Sequence, residues 1–192
     1  MSLSFRKLKE TEIDVRVATV TAKGVSLLLY KDARCDMNIL DETVGPYNWK
    51  RSHTRDNANC IVSIYDLDKK EWISKEDTGT ESFTEKEKGL ASDSFKRACF
   101  NWGIGRELYT APFIWVPADK TECVQGTNGK WKCNDNFKVL KITYTKDGQI
   151  DGLIISSNKL YDSIYLNGDK NGNMVLYVVD FLFDSFNFSN IN

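Results

Sequence analysis

The densest group of residues suited to binding an anion lies in SDSFKRACFNWGIGRELY, residues 92–109. An adjacent Lys96–Arg97 pair is followed by Phe100 and then, after two closely spaced glycines, by Arg106. Cationic side chains of this kind can bind the phosphates of a single-stranded nucleic acid, while an exposed ring can stack on a base. A solvated helix face, with Phe100 packed against another element, explains the same pattern equally well.

A second basic group follows Trp49, where Lys50, Arg51 and Arg55 occur without an intervening acid. The chain as a whole is not basic, because 26 Lys and Arg residues face 27 Asp and Glu residues and the net charge is −1. Total charge therefore argues mildly against nucleic-acid binding. Any such role has to come from local clustering of cations.

Catalytic chemistry finds little support in the sequence. His53 is the single histidine, and its surroundings predict an exposed loop imidazole. Motifs for a nucleophilic serine, a phosphate-binding loop or a zinc protease are absent, and the GxG at 103–105 follows a helix rather than a strand. Carboxylates such as Asp36 and Asp41 lack the spacing of a two-metal nuclease. We expect no enzyme activity and no cofactor, with a nuclease as the weakest alternative.

Five widely spaced cysteines without a CxxC argue against a zinc site. Free thiols, buried or exposed, in a cytosolic protein are the favoured interpretation, although Cys123 and Cys133 could pair across a hairpin. The first ten residues lack an apolar signal core, and no apolar run reaches 18 residues. We therefore expect a soluble protein of the cytoplasm that does not contact a membrane.

The elements that must position these residues follow from hydrophobic periodicity. Helices are predicted from 33 to 43, with Asp32 as the N-cap, and from about 85 to 102, ending at Gly103. Strands are predicted at 15–20, 25–30, 60–67 and 71–82, and a hairpin at 136–145 and 149–157. In the second helix the predicted core stripe contains Ala91, Phe95, Ala98, Cys99 and Trp102, which leaves Lys96, Arg97 and Phe100 facing outward. This order of elements predicts an α+β fold.

Three blocks in this order resemble the single-strand annealing proteins related to eukaryotic Rad fifty-two, in particular their phage Sak-like branch. The blocks are YKDARCDMNILDETVGPYNW (30–49), KEDTGTES (75–82) and EKEKGLASDSFKRACFNWGIGRELY (85–109). The third block is the most specific in length and content. The resemblance implies a β-β-β-α core, with a curved antiparallel β-sheet packed on the long helix. An additional β-hairpin and a C-terminal segment complete the expected fold, as an annealing domain at 1–158 and an extension at 159–192.

The resemblance also implies ATP-independent binding and annealing of single-stranded DNA in homologous recombination or repair, in a phage or mobile element within a bacterial host cell. Such subunits commonly assemble into homo-oligomeric rings, and a phage exonuclease or single-strand-binding protein is a further partner to expect. Annealing breaks no covalent bond, so it requires no nucleotide, metal or catalytic group.

Matched position by position, the phosphate-binding residues are Arg34, Lys96, Arg97 and Arg106. The sequence departs from the family at Phe100, where eukaryotic members usually carry another basic residue, and a stacking role can substitute for that contact. From charge and residue type alone we add Lys50, Arg51 and Arg55 as DNA-binding candidates, with Trp49 as a second ring that could stack on bases. The alternative is a monomeric interaction module that keeps the fold and has lost DNA binding.

Overall fold

A computed structural model describes residues 3–80, 86–157, 162–168 and 174–180, with the backbone alone for 86–88 and for the last two stretches. Its helices are α1 (Ala33–Val44) and α2 (Lys86–Trp102), and short 3-10 turns lie at Glu10–Glu12, Arg106–Thr110 and Ala118–Lys120. Its strands are β1 (Asp14–Thr21), β2 (Gly24–Tyr30), β3 (Trp49–Thr54), β4 (Asn59–Asp66), β5 (Glu71–Thr78), β6 (Ile114–Pro117), β7 (Cys123–Gln125), β8 (Trp131–Cys133), β9 (Phe137–Tyr144), β10 (Ile150–Ser157), β11 (Asp162–Gly168) and β12 (Met174–Asp180). The predicted α+β class is confirmed.

The chain divides into two compact units, and neither is continuous in sequence. The first unit comprises Met1–Ile13 and Tyr30–Thr110, and the second comprises Asp14–Leu29 and Ala111–Asn192. Both helices and all the predicted binding residues belong to the first unit. Neither helix in the described part of the chain has the length and apolar character that crossing a membrane requires.

A three-stranded antiparallel sheet in the order β3-β4-β5, which we call the meander, forms the centre of the first unit. Successive side chains of a strand point to opposite faces, and in β4 the alternate residues Cys60, Val62 and Ile64 are buried. Helix α2 packs on β4 and β5, and its Phe95 and Cys99 are fully buried. The predicted β-β-β-α core is therefore present. Two residues of the second block, 81 and 82, lie outside the described residues.

Helix α1 begins at its predicted residue and ends one residue beyond its predicted end, directly before Gly45. The Asp32 carboxylate accepts a hydrogen bond of 2.7 Å from the backbone N–H of Arg34, as an N-cap does. At the other end Gly45 has a φ of 84°, and its N–H donates to the carbonyl of Asp41 at 3.0 Å. Ile39 and Leu40 are fully buried and anchor the helix in the core of the first unit.

The N-terminal arm, residues 3–13, is held to the rest of the first unit through Arg6. Its guanidinium donates to both carboxylate oxygens of Glu12 at 2.7 Å and to Glu42 at 2.6 Å. This hydrogen bonding holds the pKa of Glu12 below its usual value of 4.5, with burial acting in the opposite direction. A carboxyl group whose pKa is lower in the folded than in the unfolded state stabilises the folded state at pH values above its unfolded-state pKa. This contribution is lost as the pH falls through the folded-state pKa.

We therefore expect Glu12→Gln to lose less stability than the wild type when the pH falls from about 5 to about 3. Urea unfolding followed by circular dichroism at each pH measures the difference. Glu10→Gln is the matched control, because Glu10 lies in the same 3-10 turn and is exposed. Identical acid sensitivity of the Glu12→Gln variant and the wild type would contradict a stabilising ion pair at this position.

The second unit is built on a seven-stranded sheet in the order β12-β11-β10-β9-β1-β2-β6. Strands β9 and β10 form the predicted hairpin, in which Ile150 pairs with Tyr144 and Gly148 takes a φ of 78° in the turn. Strands β11 and β12 lie within the predicted extension at 159–192 and continue the same sheet beyond β10. A separate two-stranded hairpin joins β7 to β8.

Candidate nucleic-acid interface

Helix α2 separates apolar side chains from basic ones. Phe95, Ala98 and Cys99 are fully buried, as the predicted stripe requires. At the two ends of the stripe the burial is only partial, because Ala91 and Trp102 are half-buried. Lys96 and Phe100 are half-buried, while Arg97 is exposed. The outward side of the last turns of α2 is therefore the surface available to a ligand.

The GIG sequence ends α2 with a Schellman motif. The N–H of Gly103, with φ 104°, donates to the carbonyl of Phe100 at 2.9 Å, and the N–H of Ile104 donates to Cys99 at 3.2 Å. This pair of bonds defines the motif, and a buried apolar residue after the glycine often accompanies it, as the fully buried Ile104 does here. Gly103 ends the helix as predicted. Gly105, with φ 74°, then reverses the chain and places Arg106 back at the helix end.

Arg106 covers the C-terminal end of α2. Its guanidinium donates from Nε to the carbonyl of Phe100 at 2.8 Å and from Nη2 to that of Asn101 at 2.9 Å. A cation at this end is favourable, because the last carbonyls of a helix carry partial negative charge. A guanidinium has five N–H donors, and these two bonds use only two of them. The exposed Arg106 thus has a structural role and keeps donors for a phosphate.

Phe100, Arg106 and Tyr109 form one group, which we call the Phe100 cluster. The ring centroids of Phe100 and Tyr109 are 4.5 Å apart at an interplanar angle of 53°, and the Arg106 guanidinium lies 5.6 Å from the Phe100 centroid. Tyr109 is 72% exposed, so its ring is open to a ligand. Tyr109 is not among the binding residues predicted from the sequence. Its position in the third block, three residues after Arg106, was the signal that could have identified it.

Lys96 lies one helical turn before Phe100, on the same side of α2. Its charge acts on Asp32, whose pKa is lowered mainly by hydrogen bonds from Arg34 and to a smaller extent by Lys96. Arg34 itself donates to both Asp32 oxygens, at 3.1 and 2.9 Å, and this ion pair is largely exposed. Arg34 and Lys96 are therefore both near the Asp32 carboxylate, at the start of α1.

Below this surface lies a buried ion pair between Lys31 and Asp36. Asp36 is fully buried, and burial raises the pKa of its carboxyl although the charge of Lys31 lowers it. Gly105 packs directly against the Lys31 side chain, so that a methyl group at position 105 would overlap it. This pair could not be predicted from the sequence, because a lysine is expected on the surface.

Arg97 points away from Lys96, towards strand β5. Its Nε lies 3.3 Å from the Asp77 carboxylate in a partly exposed ion pair. The Asn101 amide donates to the carbonyl of Glu76 at 2.9 Å beside it. Arg97 thus connects α2 to the edge of the meander. Exposed pairs of this kind are weak, and a phosphate could replace the carboxylate.

The second basic group does not form a single surface. Alternation along β3 places Lys50 on the open face of the meander, with its Nζ 4.1 Å from the ring centroid of Trp72. Arg51 lies on the opposite face, where its guanidinium is 4.8 Å from the Phe95 ring centroid. Arg55 lies in the turn to β4 with a φ of 52°. The prediction grouped these residues by sequence proximity, and the sheet separates them.

Trp49 and His53 share the helix-facing side of β3 with Arg51. The Trp49 ring stacks on buried Phe95 at 6.1 Å, and its Nε1 donates to Asp41 at 2.6 Å. The prediction of an exposed loop for His53 is wrong, since it is half-buried in β3 with Nδ1 3.4 Å from the Ser94 hydroxyl. Burial lowers its pKa, and the charge of Arg51 adds to this shift. Both rings serve the packing of α2.

Among the described residues, neither a metal site nor a cavity provides a second candidate site for binding an anion. No group of three or more His, Cys, Asp or Glu side chains among them is arranged to hold a metal ion. An open cavity of about 730 Å³ lies between the N-terminal arm and the β4–β5 turn. Its walls combine apolar side chains such as Leu3, Ile64 and Trp102 with Asp66 and Asp68, and Lys69 is its single basic residue. This lining does not suit an anion.

The predicted binding residues therefore do not form a single surface. Arg34, Lys96, Phe100 and Arg106 lie around the last turns of α2 and the start of α1. Arg97 lies against β5, and the residues of β3 and its turn are dispersed. Comparison with protein-family models, curated proteins and solved structures finds no match to this chain.

Proposed function

We propose that this protein binds single-stranded DNA and anneals complementary strands without ATP, in homologous recombination or repair. The Phe100 cluster carries the proposal. The half-buried Phe100 ring contacts the exposed Tyr109 ring, and the Arg106 guanidinium beside them has unused N–H donors. The rings can stack on a base, and the guanidinium can donate hydrogen bonds to a phosphate. Lys96, one turn earlier on the same side, supplies a second cation.

The charge distribution supports a backbone-binding role. Arg34, Lys96 and Arg106 are drawn from α1, α2 and the turn after α2, so that a strand following this surface would meet cations from three elements. Each phosphate neutralised releases condensed counterions, which makes binding salt-dependent. A net charge of −1 does not oppose this, because the local density of cations governs the contact.

We further propose assembly into a homo-oligomeric ring within the cytoplasm of a bacterial host, as the resemblance of the three blocks implies. A single subunit contributes few cations, and a ring would multiply them along one strand. A phage exonuclease or a single-strand-binding protein is the partner expected to deliver or receive the DNA.

Replacing Phe100 or Tyr109 by alanine is expected to weaken binding of a labelled oligothymidine by about 5- to 150-fold, because a base–aromatic stack contributes about 1–3 kcal/mol. Fluorescence anisotropy at fixed salt measures this loss. Tyr109→Ala is the safer variant for folding, since that ring is largely exposed. Phe113→Ala is the matched control, because Phe113 is an equally exposed ring outside the cluster. Equal affinity of Tyr109→Ala, Phe100→Ala and Phe113→Ala would rule out the assigned stacking site.

The same titration over a range of salt concentrations tests the phosphate contacts. Lys96→Ala should reduce the slope of log affinity against log salt by about 0.7, the value for one contact to a single strand. Lys138→Ala, an exposed lysine on β9, should leave the slope unchanged. A flat wild-type slope would contradict phosphate binding altogether.

A second candidate is a monomeric interaction module that has lost DNA binding. It is favoured by the ion pairs of Arg34 with Asp32 and Arg97 with Asp77, which give these arginines structural partners. Light scattering after size exclusion, with and without a long oligonucleotide, separates the two candidates. A mass near one chain that does not change with DNA favours the module, and a large particle favours the ring.

A further inference from the structure

The hairpin of β7 and β8 places two cysteines opposite each other. Cys123 pairs with Cys133 in the antiparallel register, next to the pair of Val124 with Lys132. This is the cross-hairpin arrangement that the sequence left open as an alternative. Both cysteines are free thiols in the structure and both are partly exposed.

The hydrogen bonds of the hairpin identify the type of this pair. At one end the N–H of Gly126 donates to the carbonyl of Lys130 at 2.8 Å, and at the other end Asn134 donates to Glu122 at 3.1 Å. Antiparallel pairs alternate between hydrogen-bonded and non-hydrogen-bonded positions. Counting inward from either bonded pair places Cys123 and Cys133 at a non-hydrogen-bonded position, where the Cα atoms are about 4.5 Å apart and the side chains are closest.

That separation falls within the range of about 4.4–6.8 Å that a disulfide requires. Directly opposite residues of an antiparallel pair project to the same face of the hairpin, so the two thiols lie on one side, where the Cys123 Sγ is also 3.2 Å from the Thr121 hydroxyl. Beside them the backbone is fixed, because the Asp135 carboxylate accepts the N–H of Glu122 at 2.8 Å. A disulfide would therefore form with little movement of the backbone.

The other three cysteines differ in their surroundings. Cys35, Cys60 and Cys99 are buried in the first unit, and burial raises the pKa of each thiol. Burial also raises the pKa of Cys133, which is only partly covered. Accessibility and a facing partner thus distinguish the hairpin pair from the remaining thiols, because thiol exchange requires both an accessible thiolate and a second sulfur.

We propose that Cys123 and Cys133 form a reversible redox modification site, which is oxidised by a small-molecule disulfide. One thiolate attacks a sulfur of that oxidant and releases one thiol, leaving a mixed disulfide on the protein. The facing thiolate then attacks the protein sulfur of the mixed disulfide and releases the second thiol. Two electrons pass to the oxidant and its S–S bond breaks, the protein gains one S–S bond, and the two protons of the protein thiols end on the two released thiols. Partly exposed disulfides belong to the more easily reduced class, which makes the step reversible.

The full-length protein, reduced and then incubated with glutathione disulfide, tests this site. Of its five thiols, two should be lost on titration in denaturant, and peptide mapping should join residue 123 to residue 133. Reducing agent should restore both. Retention of all five thiols, or a disulfide involving a buried cysteine, would overturn the proposal.

Single variants test the order of events. Cys133→Ser lacks the resolving thiol, so it should accumulate a stable mixed disulfide with glutathione on Cys123, and Cys123→Ser should behave in the converse way. In the wild type the mixed disulfide should be transient. A stable mixed disulfide in the wild type would show that the facing thiol does not resolve it, and would contradict the paired site.

Discussion

Replacing Gly105 by alanine is expected to lower the free energy of unfolding by about 4–7 kcal/mol, of which about 3–5 kcal/mol is the usual effect of breaking a buried ion pair. The new methyl group would overlap the Lys31 side chain, which has little space because Lys31 is buried beside Asp36. Moving that lysine separates the two charges in the interior. The positive φ of Gly105 adds strain of about 1–2 kcal/mol, because a residue with a side chain disfavours this conformation. The two effects together give an expected loss of about 4–7 kcal/mol.

Gly103→Ala is the matched control for this effect. Gly103 also has a positive φ, but no atom lies within 4 Å of the place where its Cβ would be. It should therefore show only the backbone strain of about 1–2 kcal/mol. Urea unfolding of both variants measures the difference between two glycines that are separated by one residue. Equal destabilisation would mean that the contact with Lys31 contributes nothing beyond backbone conformation.

Asp36→Ala is expected to destabilise the protein by about 3–5 kcal/mol, because it leaves the Lys31 ammonium buried without its partner. Chemical unfolding again provides the measurement. Asp32→Ala, which removes an exposed N-cap at the start of the same helix, should cost only about 1 kcal/mol.

A double variant, Lys31→Met with Asp36→Leu, distinguishes loss of the pair from loss of packing. Removal of both buried charges is often neutral or stabilising, so most of the stability lost in Asp36→Ala should return. A double variant that is as unstable as Asp36→Ala would show that shape, rather than charge, dominates at this position.

The local elements could be predicted because their signals lie within a few residues of one another. Asp32 and Gly45 mark the ends of α1, and Gly103 marks the end of α2, through hydrogen bonds that close inside one turn. The buried stripe of α2 follows from helical spacing alone, which also placed Lys96 and Phe100 on the outward side.

The partners of the charged residues could not be predicted in the same way. Arg97 pairs with Asp77 only because α2 packs on β5 in one particular register. Lys31 is buried because Gly105, far along the chain, folds against it. Lys50 and Arg51 are adjacent in sequence, and they lie on opposite faces because they belong to β3, a strand that the sequence did not predict. Contacts between distant segments decide which cations keep free donors.

The pairing of β2 with β6 determines the order in which the two units can be completed during synthesis. Leu27 faces Ile114 in the sheet, and the main segment of the first unit, Tyr30–Thr110, lies between them in the chain. The ribosome therefore synthesises that whole segment before β2 can pair with β6. Contacts between residues distant in sequence form late in folding, so the helices and the meander are expected to form first. The edge of β2 that pairs with β6 stays unpaired until the chain has been synthesised past residue 117.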